Sequence, residues 1–123
     1  MRVLVVAVAA GVLAWLGMTE RSVRLQTSGV EAAQARDFAA AEADFRAARV
    51  LNADTTPDVR RAFLYQGSGR AGEAAAVLED VVRREPDNLD AWGLLYAFTR
   101  ERDPALAQRA VEARARLDPL GAR

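Results

Sequence analysis

Residues 69–88 read GRAGEAAAVLEDVVRREPDN, and this stretch decides the fold. Gly67-Ser68-Gly69 breaks one helix and turns the chain into a second over residues 70–84, with Ala74 and Leu78 four apart on it. Pro86 stops that helix, and Asp87-Asn88 supplies a cap for the next. Moving 33 residues in either direction finds the same arrangement. Ala41 and Phe45 stand one period before, Ala107 and Val111 one period after. Residues 22–120 therefore divide into three ungapped blocks, 22–54, 55–87 and 88–120. Ala53, Pro86 and Pro119 close the blocks, and Ala32, Tyr65 and Phe98 correspond in their first halves.

Each block reads as two helices. In the first, a segment over residues 22–36 leads to Asp37, whose carboxylate can take up a free N–H of the helix FAAAEADFRAARVL. In the second, Thr56-Pro57 offers a capping hydroxyl and a proline in the first turn of a helix reaching Gln66. In the third, residues 89–100 form one helix, and Asp103-Pro104 repeats the cap-plus-proline device for another that ends near Leu117. Composition agrees: 27 of the 123 residues are Ala, while 8 Gly and 4 Pro are too few for a chain of tight β-turns. The expectation is an all-α chain. Small residues at fixed phase let paired helices approach, with Phe45, Leu78 and Val111 filling the space between blocks.

The stretches RDFAAAEADFRAARVLNAD, GRAGEAAAVLEDVVRREPDN and DPALAQRAVEARARLDPL resemble the second helix of the tetratricopeptide repeat (TPR) family. Each carries a small residue and a large apolar one four later, with a further small one, Ala48, in the first and proline beyond the helix in the last two. Trp92 and Leu95 are similar to the family's first-helix Trp…Leu pair. The likeness covers nearly everything after residue 21. It departs in its period of 33 rather than about 34 residues, in Ala53 where the closing proline belongs, and in Val81 and Arg114 where a small residue is usual. Block one's first helix is the weakest match, and a long continuation of the N-terminal helix could take its place. The resemblance implies a short right-handed helix-hairpin solenoid, packed through Ala41, Phe45, Ala48, Ala74, Leu78, Trp92, Leu95, Ala107 and Val111. It also implies a protein or peptide partner held in a groove lined by first helices.

Ahead of the repeats, residues 3–18 (VLVVAVAAGVLAWLGM) carry no charge. As a helix they span about 24 Å, a little under the ~30 Å hydrocarbon core, with Arg2 at one end and Trp15 and Thr19 suited to the interface at the other. The exit, Gly17-Met18-Thr19-Glu20-Arg21, lacks the small-residue pattern of a cleavage site, and no Cys is present for a lipoprotein signal. Residues 1–19 are therefore expected to form an uncleaved, single-pass membrane anchor, with a cleaved signal as the alternative. Arg2 and the amino terminus nearly balance Arg21 and Arg24 offset by Glu20. The signal-like leader then favours a cytoplasmic N-terminus and a repeat domain outside the cytoplasm.

Function narrows mostly by exclusion. The 17 basic residues are all Arg and balance 17 acidic ones, and neither Cys nor His occurs. Thiolate and imidazole metal sites, disulfides and Ser-His or Cys-His nucleophiles are excluded, and a zero balance argues against nucleic acid. No catalytic residue, cofactor or metal ligand is expected. Gly67-Ser68-Gly69-Arg70-Ala71-Gly72 has the dinucleotide spacing, but a helix precedes it where that chemistry needs a strand. Glu79 and Asp80 with Arg83 and Arg84 read as i, i+4 pairs on a solvated face. Trp92 and Tyr96, i, i+4 on one helix, read as packing.

The resemblance places Arg24, Gln34, Arg60, Arg61 and Arg100 on first helices, as candidates for a partner-binding groove; an Arg fork suits a peptide carboxylate. The family's Lys/Asn carboxylate clamp is not carried over, because Lys is absent and both Asn lie in turns. The last helix is expected to expose parts of Leu106, Ala110, Val111 and Leu117, a face for a partner or second copy. The sequence thus leads to a non-catalytic, membrane-tethered scaffold or adaptor in envelope, secretion or polysaccharide-export assembly. A secreted soluble module and a self-associating structural subunit are the alternatives.

Overall fold

The structure is a computed structural model that describes residues 2–51 and 54–121, with side chains from residue 11 onward. Ala53, expected to close the first block, lies outside the described residues. Among the described residues six α-helices follow one another: α1 (Arg2–Gln34), α2 (Phe38–Leu51), α3 (Thr56–Gly67), α4 (Ala71–Arg84), α5 (Leu89–Thr99) and α6 (Pro104–Leu117). No strand occurs among the described residues, so the chain is all-α. It divides into two compact units, Met1–Pro57 and Asp58–Arg123.

The first unit is a hairpin of α1 and α2. Ser22, Gln26 and Gly29 on α1 are buried, and so are Ala41, Phe45 and Ala48 on α2. Both sets are spaced i, i+4, i+7, which puts each on one stripe of its helix. The contact is close because its residues are small. A Cβ built on Gly29 would lie 2.7 Å from Cε1 of Phe45, so only glycine lets the ring lie there. The Ser22 hydroxyl donates to the Ala48 carbonyl at 3.4 Å and accepts from the Gln26 amide at the same distance, which gives the buried polar atoms partners and sets the register. α1 is continuous from Arg2 to Gln34, so block one has no separate first helix beginning at Ser22; the continuation of the N-terminal helix takes that role.

Level with Leu51, α2 ends, and α1 runs on for about 25 Å. Residues 11–20 of that extension are all exposed, among them Leu13 at 69% and Trp15 at 64%. Half of the expected anchor, residues 1–10, lies outside the residues whose side chains are described. Among the described residues no helix is long and apolar enough to cross a membrane.

In the second unit, Ala62 and Tyr65 of α3, Ala74, Val77, Leu78, Val81 and Val82 of α4, Ala91 and Leu95 of α5, and Leu106 and Ala110 of α6 make one contiguous core. Ala74 and Leu78, the small-plus-large pair of the period, are fully buried within it. Val111 is open, as expected of the outer side of the last helix, and does not fill a space between blocks. It is 41% exposed, because no further helix among the described residues covers the side of α6 that Leu78 presents on α4. Leu106 and Ala110, expected to be partly open, are buried; Leu117 and Leu120 are exposed.

Helix ends follow the local code. Asp37 accepts from Ala40 N (3.1 Å), Asn88 from Ala91 N (2.9 Å) and Asp103 from Leu106 N (3.0 Å). At α3 the expected Thr56 hydroxyl is not the cap. It donates to the Asp54 carboxylate, which also accepts from Thr56 N. The turn after α3 is closed by Arg70 N to Tyr65 O (2.8 Å) and Gly69 N to Gln66 O (3.3 Å), with Gly69 at φ 79°. One period earlier the same turn recurs: Asp37 N bonds Ala32 O, Arg36 N bonds Ala33 O, and Arg36 sits at φ 62°.

An arginine in the left-handed region costs about 1 kcal/mol relative to glycine. Arg36→Gly is therefore expected to raise stability by about 0.5–1 kcal/mol, and Gly69→Ala to lower it by about 1 kcal/mol. Urea unfolding of the two variants checks both signs.

Candidate interaction surface

The second unit is organised around a buried carboxylate. Asp58, in the first turn of α3, is 1% exposed. Its Oδ2 accepts from Nη2 of Arg84 at 2.5 Å, and its Oδ1 lies 3.3 Å from Nη2 of Arg61. Arg84 also reaches Asp80 at 2.9 Å. One guanidinium thus joins the last turn of α4 to the first turn of α3, across 26 residues of sequence. Partial burial works against the Arg84 charge, but the hydrogen bonds and attraction of Asp58 and Asp80 outweigh it and hold its pKa above the ordinary guanidinium value. A raised cation pKa adds stability that is complete below the ordinary value and is lost only as pH climbs through the raised one. The clamp on the arginine side is therefore intact across all but strongly alkaline pH.

This clamp changes the reading of two groups. Arg84 does not belong only to a solvated face, since its strongest partner is the buried Asp58. Arg83 pairs with Asp80 at 2.6 Å, an i, i+3 pair rather than the expected i, i+4 pair with Glu79. Arg61, a groove candidate, has a side chain only 16% exposed and turned to Asp58; its Nε is buried without a hydrogen-bond partner. The other candidates are divided between the two units. Arg60 is half-buried on α3, and Arg100 caps the end of α5 beside Glu101 at 3.6 Å. Arg24 and Gln34 belong to the first unit, both exposed, with Arg24 paired to Glu20 at 2.5 Å. Within the second unit no hydrogen bond or ion pair joins Arg60, Arg61 and Arg100 to one another, nor Arg24 to Gln34 within the first.

Aromatic residues shape the surface more than the arginines do. Phe63 of α3 meets Phe98 of α5 edge to face, with ring centres 5.3 Å apart, and Phe63 is half exposed. Trp92 packs partly against the core, and its indole N–H donates to the Pro86 carbonyl at 2.9 Å, which fixes the ring. That ring forms one wall of an open groove of about 520 Å³, with Ala76, Glu79, Val82 and Arg83 of α4 and Arg109 of α6 around it. Sequence reading missed this groove because its walls come from three helices, and no spacing within one helix marks them. At the Gly67–Gly72 motif the glycines close α3 and open α4, so the residues before it are helical.

The chain matches no protein-family model and no curated protein sequence.

Removing Asp58 would leave two guanidinium groups, one of them largely buried, without their shared anion. Because the Arg84 side chain is 34% exposed, the loss falls below that of a fully buried pair. Asp58→Ala is expected to cost about 2–3 kcal/mol. Arg24→Ala, at a fully solvated pair, is expected to change stability by less than about 1 kcal/mol. Thermal unfolding followed by circular dichroism distinguishes the two.

Proposed function

We propose that the chain is a non-catalytic, TPR-like helical-hairpin module tethered to a membrane through α1, which holds a protein or peptide partner against its hairpins. The observation that carries this reading is the extension of α1 beyond α2. From Gly11 to Thr19 it has no charged side chain, and Val12, Leu13, Ala14, Trp15, Leu16 and Met18 are distributed around the helix at about 100° per residue. All are exposed. A helix apolar on every side needs an apolar surrounding, and a bilayer supplies one. Residues 3–10 continue the same composition.

The TPR-like part of the reading is supported by recurrence. Ala41, Ala74 and Ala107, one period apart, are all buried, and the same left-handed turn stands at Arg36 and Gly69. The adaptor part is supported by the half-exposed Phe63, edge to face with the partly buried Phe98, and by Arg60 on α3, a first helix of the second unit.

Membranes from cells making the full chain, washed at alkaline pH, test the tether. The native protein is expected to remain in the pellet, and Leu13→Glu/Leu16→Glu to move to the supernatant. A native protein released by the wash overturns the tether. Arg60→Glu/Arg100→Glu is expected to abolish crosslinking to a partner in those membranes while leaving the fold intact. A native chain that crosslinks only to itself overturns the adaptor reading.

A further inference from the structure

We infer that the membrane-proximal end of the α1–α2 hairpin is a docking collar for an anionic bilayer surface, a reading that rests on the proposed tether. The hydrogen bond between the Ser22 hydroxyl and the Ala48 carbonyl places residues 22 and 48 at one level of the hairpin. The helices are antiparallel, so Arg21 and Arg49 lie one residue toward the apolar extension, and Arg24 and Arg46 two residues away from it. At 1.5 Å per residue the four arginines fall in a band about 5 Å deep, drawn from two helices.

The same register sets Val50 level with Glu20, at the foot of the apolar rod. Val50 is 84% exposed, the largest exposure among the big apolar side chains described. No side chain of the described hairpin covers that valine. A bilayer interface does, with Trp15 and Met18 on the hydrocarbon side and guanidinium groups at phosphate depth.

Charge selects the occupant. The chain as a whole is neutral, with 17 basic and 17 acidic residues. Four arginines stand in this band, with the carboxylate of Glu20 one residue below it; Glu42 and Asp44 start further up α2, from where Glu42 reaches Arg46. All four arginines are exposed, and Arg21 makes no ion pair among the described residues. Arg24 pairs with Glu20, and Arg46 with Glu42, at 2.5 Å each. Such exposed pairs contribute little, so lipid phosphate oxygens can replace the carboxylates as partners. The collar would set the tilt of the hingeless rod, drawing the α2 side of the hairpin onto the surface, where the rod alone would leave that tilt free.

The chain contains no cysteine, so single labels can be placed without removing any. The full-length protein carrying an environment-sensitive fluorophore at Val50→Cys or Leu16→Cys is reconstituted into vesicles of phosphatidylcholine, with or without phosphatidylglycerol. The label at 16 is expected in hydrocarbon in both. The label at 50 is expected to shift to the blue, and to be quenched by nitroxide lipids, only when phosphatidylglycerol is present, and to revert at high salt. Arg21→Gln/Arg49→Gln should lower the docked-to-free ratio by about tenfold or more, since a basic residue near the surface contributes roughly fivefold. A label at 50 that behaves alike on both vesicles overturns the collar, as does a double variant that docks like the parent. A label at 16 that remains in water overturns the tether, and the collar with it.

Discussion

A carboxylate withdrawn from water needs compensating charge within hydrogen-bond reach, and Asp58 sets that requirement at the start of the second unit. Its position in the first turn of α3 is favourable for an anion, because the free N–H groups of that turn carry partial positive charge. Arg61 approaches from the same helix and Arg84 from the end of α4. The Arg84 contact brings the start of α3 to the end of α4, and the apolar core of α3 to α6 is arranged beside it. Glu73 and Arg70 hold the opposite end of the α3–α4 pair: the guanidinium lies 4.2 Å over the Tyr65 ring and bonds both oxygens of Glu73. The turn between the helices is thus clamped at one end and the open ends at the other.

The first unit solves the same problem with almost no charge. Gly29, Ala41 and Ala48 remove side chains from the α1–α2 contact, so the helices approach until Phe45 fills the remaining space. Dispersion over a close contact does there what the ion pair does in the second unit. The polar atoms that burial would strand, at Ser22 and Gln26, find each other and the Ala48 carbonyl.

What the sequence made legible was local. Asp37, Asn88 and Asp103 cap helices through contacts three residues away, and such contacts follow from residue type and spacing. The positions of Ala41, Ala74 and Ala107 were legible because the 33-residue phase repeats. Contacts across the fold were not. Nothing in the spacing joins Asp58 to Arg84, so Arg84 read as a surface residue and Arg61 as free to bind a ligand. Val111 shares the phase of Leu78 yet lacks its cover, since phase fixes which side of a helix a residue occupies and not what lies beyond. The Trp92 groove was invisible for the same reason. Arg36 in a left-handed turn was hidden as well, because the residue type argues against that conformation and only the recurrence at Gly69 explains it.

The continuity of α1 has a mechanical consequence. One uninterrupted helix forms both the apolar rod and half of the first hairpin, with no hinge between them. The compass bearing of α2 around the rod is therefore fixed by residue count. Inserting a single residue near Thr19 would swing the hairpin by about 100° and lift it by about 1.5 Å, and seven residues would restore nearly the original bearing one coiled-coil heptad higher. Within the first unit the hairpin is thus keyed to the rod, its bearing and its height set together by residue count.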